Sequence, residues 1–181
     1  MSDAAKLMRA ASYAAQKHRS HRRKGADADP YINHPLQVAA FLAEVGGITD
    51  VDILTAALLH DVVEDTDTTP EEIEELFGSR VRGFVMELTD DKSLSKAERK
   101  SKQVEHAPYL SNEAKQIKIA DKYSNISDIV ENPPHNWTEQ RKAEYIKWGN
   151  EVFSGLRGVN ENLDKAFEEL ISKANGSEFK L

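Results

Sequence analysis

The chain has 181 residues, 39% of them hydrophobic, which suits one domain with its own core. It contains no cysteine, so a disulfide framework is excluded and any metal site must use histidine and carboxylate ligands. The net charge of -7 argues against the broad positive surface of a general nucleic-acid binder, and no apolar run approaches the roughly 18 residues of a membrane span.

Hydrophobic periodicity predicts an all-α chain of about eight to ten helices in a single domain, 1–181. Met1-Ser2-Asp3-Ala4-Ala5-Lys6 lacks the basic-then-apolar order of a secretory leader, and a cytoplasmic setting is expected. The first helix covers 3–18, with Leu7, Met8, Ala11, Ala14 and Ala15 as its apolar stripe. Arg19, Arg22, Arg23 and Lys24 follow, a basic run that taken alone reads as solvated surface. A helix over 34–45 carries Val38, Phe41 and Leu42 and stops at Gly46-Gly47. Thr49 with Asp52 opens the next helix, 50–63. Thr69-Pro70-Glu71-Glu72 gives 70–77 an N-cap, a first-turn proline and a capping-box glutamate, and Gly78 closes it. Val81, Phe84, Val85 and Leu88 mark 79–89, and Ser95 with Glu98 opens 95–105. Helices over 111–130 and 138–156 are separated by Pro133-Pro134. Leu163, Ala166, Phe167, Leu170, Ile171 and Ala174 define 160–174, and the tail 175–181 is expected to fray.

The chemistry concentrates at His60-Asp61-Val62-Val63-Glu64-Asp65. A helix continuing through this string puts His60 with Glu64, and Asp61 with Asp65, on common faces. Three carboxylates beside an apolar helix repel one another and are costly to desolvate, and a divalent cation resolves both problems. The dipeptide alone fits a capped helix end equally well. Tyr31-Ile32-Asn33-His34-Pro35 sets a histidine at a helix start, which by itself is also an exposed turn. Asp121 in Ile117-Lys118-Ile119-Ala120-Asp121-Lys122 reads either as a solvent-face acid or as one bordering the core. Ala114, Ile117, Ala120 and Ile129 place the apolar stripe beside it.

Together, His34, His60-Asp61 and Asp121 resemble the H…HD…D metal signature of the HD superfamily. Tyr31 to Pro35, Ala56 to Thr66 and Ile119 to Lys122 are similar to the hydrolase domains of the Rel/Spo alarmone enzymes. Thr89-Asp90-Asp91-Lys92, Glu98-Arg99-Lys100 and Glu144 to Trp148 most resemble the stand-alone small alarmone hydrolases, including the metazoan SpoT homologue. The resemblance spans about residues 3 to 170.

It implies one manganese per chain, held by His34, His60, Asp61 and Asp121, with Glu64 and Asp65 as catalytic carboxylates. By ligand type alone the set is open to Mn, Fe or Zn. The implied reaction removes the 3′ pyrophosphate from (p)ppGpp. Arg23, Lys24, Lys100, Asn125, Arg141 and Tyr145 match positions near the nucleotide, and Trp137 and Trp148 could flank the cleft. The residues outside the resemblance leave no room for a synthetase domain, so alarmone synthesis is not expected. The expected partner is a small-molecule nucleotide, with no nucleic acid and no membrane, in a monomer or homodimer. The alternatives are a related substrate, (p)ppApp or the 2′-phosphate of NADPH, and a nucleotide sensor without turnover. The Glu64-Asp65 pair argues against the sensor, since binding alone needs no extra acids beside a dication. Three features depart from the family pattern: Ser127 where relatives carry arginine, Tyr123-Ser124, and Ser101-Lys102. They bear on base and phosphate preference and leave the metal and acid groups intact.

Overall fold

The structure is a computed structural model that describes residues 1–177. Among these, ten α-helices and one 3-10 turn account for the regular structure, and the only β pairing is an isolated bridge between Arg22 and Pro30. No helix is long and apolar enough to cross a membrane.

The core is built on α3 (Val51–Leu59), whose residues from Ile53 to Leu59 are all buried. A helix apolar on every side must be wrapped, and α1 (Asp3–Lys17), α2 (Asn33–Glu44) and α6 (Ser79–Leu88) all pack on it. Helix α1 turns Ala10 and Ala14 inward, and these small side chains let the two helices approach closely. Met8, expected in that stripe, is instead 68% exposed, because the buried face is set one residue round from the predicted one. Helix α8 (Asn112–Glu131) runs the length of the domain against α2, α9 (Glu139–Ser154) and α10 (Glu161–Ser177). Gly149 on α9 makes one of these contacts possible, since a Cβ there would meet Ile126 Cδ1 at 2.8 Å. Phe153 and Phe167 stack with centroids 4.2 Å apart and join α9 to α10.

The helix starts follow local chemistry. Ser95 and Glu98 form a complete capping box for α7 (Lys96–His106). Thr69 caps α5 (Pro70–Phe77) by accepting from the Glu72 N–H, without the reciprocal glutamate bond predicted for it. Asp50, not Thr49, caps α3: its carboxylate accepts from the N–H groups of Asp52 and Ile53 and also binds Arg80. Gly78, at φ +100°, joins α5 to α6. The 3-10 turn Ala107–Tyr109 leads from α7 into α8. At the C-terminal end α10 continues through part of the tail expected to fray, up to Ser177. Residues 178–181 lie outside the described residues.

One departure matters for the site. The predicted helix over 50–63 does not run unbroken. It stops at Leu59, turns at His60 and Asp61, and resumes as the single turn α4 (Val62–Asp65). Asp61, at φ -102° and ψ -5°, sits in the bridge region where helical hydrogen bonding is interrupted. The turn lets neighbouring side chains 60 and 61 converge on one point, which an unbroken helix would splay by about 100°.

Candidate metal centre and cleft

Three ligand-type groups meet where α2, α3 and α8 converge. His34, His60 and Asp121 are all buried, and one ligand atom from each lies within 4.8 Å of the others. His34 Nε2 is 3.2 Å and His60 Nε2 is 3.8 Å from Asp121 Oδ1. Asp61 stands beside this trio, with Oδ2 at 3.1 Å from His60 Nε2 and 3.8 Å from His34 Nε2. The Tyr31 hydroxyl donates to that same oxygen at 2.5 Å.

The hydrogen-bond network fixes which way each imidazole faces. His60 Nδ1 donates to the Ala57 carbonyl at 2.7 Å, which leaves a lone pair on Nε2. Ser124 Oγ donates to Gln37 Oε1 at 3.2 Å and so accepts from His34 Nδ1 at 3.0 Å. His34 Nε2 is thereby also left as a lone pair facing the centre. Buried His60 Nε2 has no hydrogen-bond partner. Two free imidazole nitrogens and two carboxylates converging on one buried point fit a divalent cation.

Charge makes the same demand. Burial lowers the pKa of His34 and keeps it neutral. Burial also disfavours charge on His60, but Asp61 and Asp121 outweigh it and push its pKa up to about 10. Burial opposes ionisation of Asp121, yet Lys122, His34 and His60 hold its carboxyl well below the usual range. The cluster stabilises positive charge at its centre, and a dication answers that demand more fully than a proton.

Glu64 and Asp65 lie one turn further on. Glu64 Oε2 accepts from the Asp90 N–H at 2.9 Å, and burial raises its pKa. Lys92 reaches both acids, at 3.5 Å from Glu64 and 2.7 Å from Asp65. Asp65 also lines a cleft of about 600 Å³ that opens beside the centre.

The cleft wall is formed by the connection between α1 and α2. Arg23 N–H donates to Asp29 O and Tyr31 N–H to His21 O, folding this segment into a small hairpin. The hairpin carries Arg22, Arg23 and Lys24 to the cleft, while Arg19 is exposed and does not line it. Asn125 and Tyr145 line it from α8 and α9, and so does Trp137. Lys100 and Arg141 are not among the lining residues. Their heads sit on aromatic rings at its margin instead, Lys100 at 4.5 Å from the Trp148 centroid and Arg141 at 4.3 Å from that of Trp137. Trp148 packs against the core, and its Nε1 donates to the Lys100 carbonyl.

Several partners were invisible in the sequence. Arg23 donates to Asp128 through Nε at 2.9 Å and Nη2 at 2.6 Å, and Nη2 also reaches Asn125 Oδ1 at 3.0 Å. Asn125 Nδ2 donates to Asp121 Oδ1 at 2.7 Å. Both ends of the Asn125 amide are thus engaged by protein, so this cleft residue also braces Asp121 against Arg23. Tyr31, in the Tyr31-to-Pro35 motif, and Ser124, in the departing Tyr123-Ser124 pair, carry no role in the sequence reading. Only the hydroxyls at those positions hinted that they could orient the metal-facing side chains.

An HD-domain profile matches residues 10–158, most of the chain and all of this cluster. The chain belongs to the HD-domain family. A Xenopus tropicalis relative is 53% identical over 93% of this chain and 94% of its own length. A Homo sapiens relative is 51% identical over 95% of this chain and 96% of its own. Both are named guanosine-3′,5′-bis(diphosphate) 3′-pyrophosphohydrolase MESH1. A solved structure superposes with a TM-score of 0.91 at 48% identity, covering 93% of this chain and 95% of that one. It is described as a metazoan orthologue of SpoT that hydrolyses ppGpp.

Proposed function

We propose that this chain is a metal-dependent (p)ppGpp 3′-pyrophosphohydrolase. The observation that carries the reading is the buried His34–His60–Asp121 cluster beside a basic cleft of nucleotide size, in a chain similar over nearly its whole length to enzymes of that name. His34, His60, Asp61 and Asp121 are the proposed ligands. Manganese is the proposed metal, on the family resemblance, and the mixed nitrogen and oxygen donors suit it. The proposed setting is the cytoplasm, which agrees with a chain free of cysteine.

A bound dication supplies Lewis acidity, lowering the pKa of water and polarising a phosphoryl oxygen. The protein groups supply the rest. Water attacks the phosphorus bonded to the 3′ oxygen, the bond between them breaks, and the ribose 3′ oxygen takes up a proton. Pyrophosphate and GDP or GTP are the products. Glu64 and Asp65 are the proposed proton carriers, and burial raises the pKa of Glu64, which makes it a better proton acceptor than an exposed carboxylate. Lys92 holds the two acids in a fixed relation. Lys24 and Arg23 face the polyanionic substrate, and the salt bridge to Asp128 fixes the guanidinium of Arg23.

The test is product analysis by anion exchange after incubation with Mn²⁺ and ppGpp, pppGpp, ppApp or NADPH. Intact pyrophosphate as the first product is expected from the guanosine alarmones. Orthophosphate first would reject the reaction, and a strong preference for ppApp or NADPH would move the substrate to another class.

Lys24 tests the binding role more cleanly than Arg23, whose removal also strips Asp128 of its partner. Lys24→Ala should raise KM roughly fivefold, the effect of about 1 kcal/mol from one solvent-facing charge, with kcat little changed. Added salt should imitate the change in the unmodified protein, since such attraction is screened over about 10 Å at 0.1 M. A fall in kcat at constant KM would place Lys24 in the chemical step instead.

A further inference from the structure

Helix α8 ends at Asn132, a half-buried residue that lines the cleft and whose backbone N–H closes the helix on the Asp128 carbonyl. Its side-chain oxygen leaves the helix and accepts from the Ala26 N–H, in the hairpin between α1 and α2, at 3.1 Å. Gly25 makes this approach possible. A Cβ at that position would meet the Asn132 carbonyl oxygen and Nδ2, each at 2.8 Å. A backbone oxygen cannot swing aside, so a larger residue at 25 must lift the hairpin off the helix. Gly25 is not among the positive-φ residues, so close packing and not backbone conformation calls for the glycine.

Lys24 therefore lies between two anchors. On one side the Arg23 guanidinium is bound to Asn125 and Asp128, and on the other the Ala26 N–H is bound to Asn132. All three partners stand on the last two turns of α8 or at its cap. The lysine itself has nothing comparable to hold it. Among the described residues it makes no hydrogen bond or ion pair. Burial lowers its pKa, Lys96, Arg141 and Arg23 push the same way, and Asp65 opposes them. An ammonium surrounded by cations gains by moving out to water, and a fastened backbone resists that movement. Fixing the segment before a ligand arrives also removes an ordering cost from binding.

We propose, on the reading of the cleft as the nucleotide site, that Asn132 is a positioning residue for substrate binding, fastening the hairpin so that Lys24 is held at the cleft before the polyanion arrives. The competing role is a direct contact, since Asn132 Nδ2 makes no hydrogen bond among the described residues.

Two measurements test this: steady-state kinetics with ppGpp and Mn²⁺, and hydrogen–deuterium exchange of the segment 22–29 without nucleotide. Both substitutions used lie outside the core. Asn132→Ala and Gly25→Ala should each raise KM roughly fivefold with kcat little changed, the effect of one net hydrogen bond. Gly25→Ala leaves the Asn132 amide in place, so a rise in KM confined to Asn132→Ala would indicate direct contact and overturn the proposal. Each variant combined with Lys24→Ala should fall well short of the roughly 25-fold rise that independent effects would give, because both act through one ammonium. Full additivity would overturn the proposal as well. Exchange in the hairpin should quicken in both variants, and Asn132→Asp, which keeps an oxygen for the Ala26 N–H, should restore protection. Unchanged exchange in both would show that Asn132 fastens nothing. Exchange needs no substrate, so failure of the unmodified chain to cleave ppGpp would count against the proposed reaction and leave exchange to decide the anchor.

Discussion

Asp121→Ala is expected to strip the chain of its divalent metal and of turnover together. Asp121 Oδ1 lies within reach of both imidazoles, and no other carboxylate on α8 approaches that point. Three remaining ligands leave an open and weaker site. The loss in affinity should exceed the roughly 10- to 100-fold typical of removing an outer partner of a ligand. Asn125→Ala provides that milder comparison, because the amide touches Asp121 without facing the imidazoles. Metal content per chain, read by elemental analysis after dialysis, is the measurement. The substitution also strands buried Lys122, whose ion pair with Asp121 spans 3.3 Å, so the fold must be checked in parallel. His60→Ala, which leaves no buried lysine unpaired, is the second arm. Undiminished metal in both folded variants would defeat the ligand assignment.

Glu64→Gln and Asp65→Asn should do the opposite, keeping the metal while losing turnover. A glutamine oxygen can still accept from the Asp90 N–H, and an asparagine oxygen can still meet Lys92, so the local fold survives. What disappears is the ability to take and return a proton. Losses in kcat of roughly 10²-fold or more are expected, within the range for a positioned acid or base. Rates from single-turnover experiments, set beside metal content, separate this from a binding defect. Near-normal kcat in both variants would reduce these acids to shaping the site.

The helices were legible because their signals are local. Ser95 and Glu98 cap a helix with groups three residues apart, and Thr69-Pro70 does much the same. His34, His60 and Asp121 were legible for another reason: as a set they form a recognisable string, although each alone is ambiguous. The rest depended on tertiary contact. Nothing near Arg23 in sequence announces Asp128, 105 residues away, and nothing near His34 announces Ser124, 90 residues away. The turn at His60 and Asp61 was hidden because the apolar pattern before it and the acids after it both suit a continuous helix. Thr49 lost the cap to Asp50, whose carboxylate also gains Arg80 from α6, a partner that no local rule can foresee. Met8 was misplaced because a stripe rich in alanine fits two helical faces almost equally well.

The brace formed by Asn125 has a thermodynamic consequence. A single amide holds Asp121 at one end and Arg23 at the other. Anything that fixes Asp121 therefore removes freedom from the guanidinium at the cleft wall, and anything that fixes the guanidinium does the same for Asp121. Metal and nucleotide are then linked ligands, each raising the affinity for the other by the same factor, because the ordering of the shared segment is required only once. In a cell poor in the metal, nucleotide binding would weaken along with turnover, so the apo protein would sequester little of the nucleotide it cannot cleave.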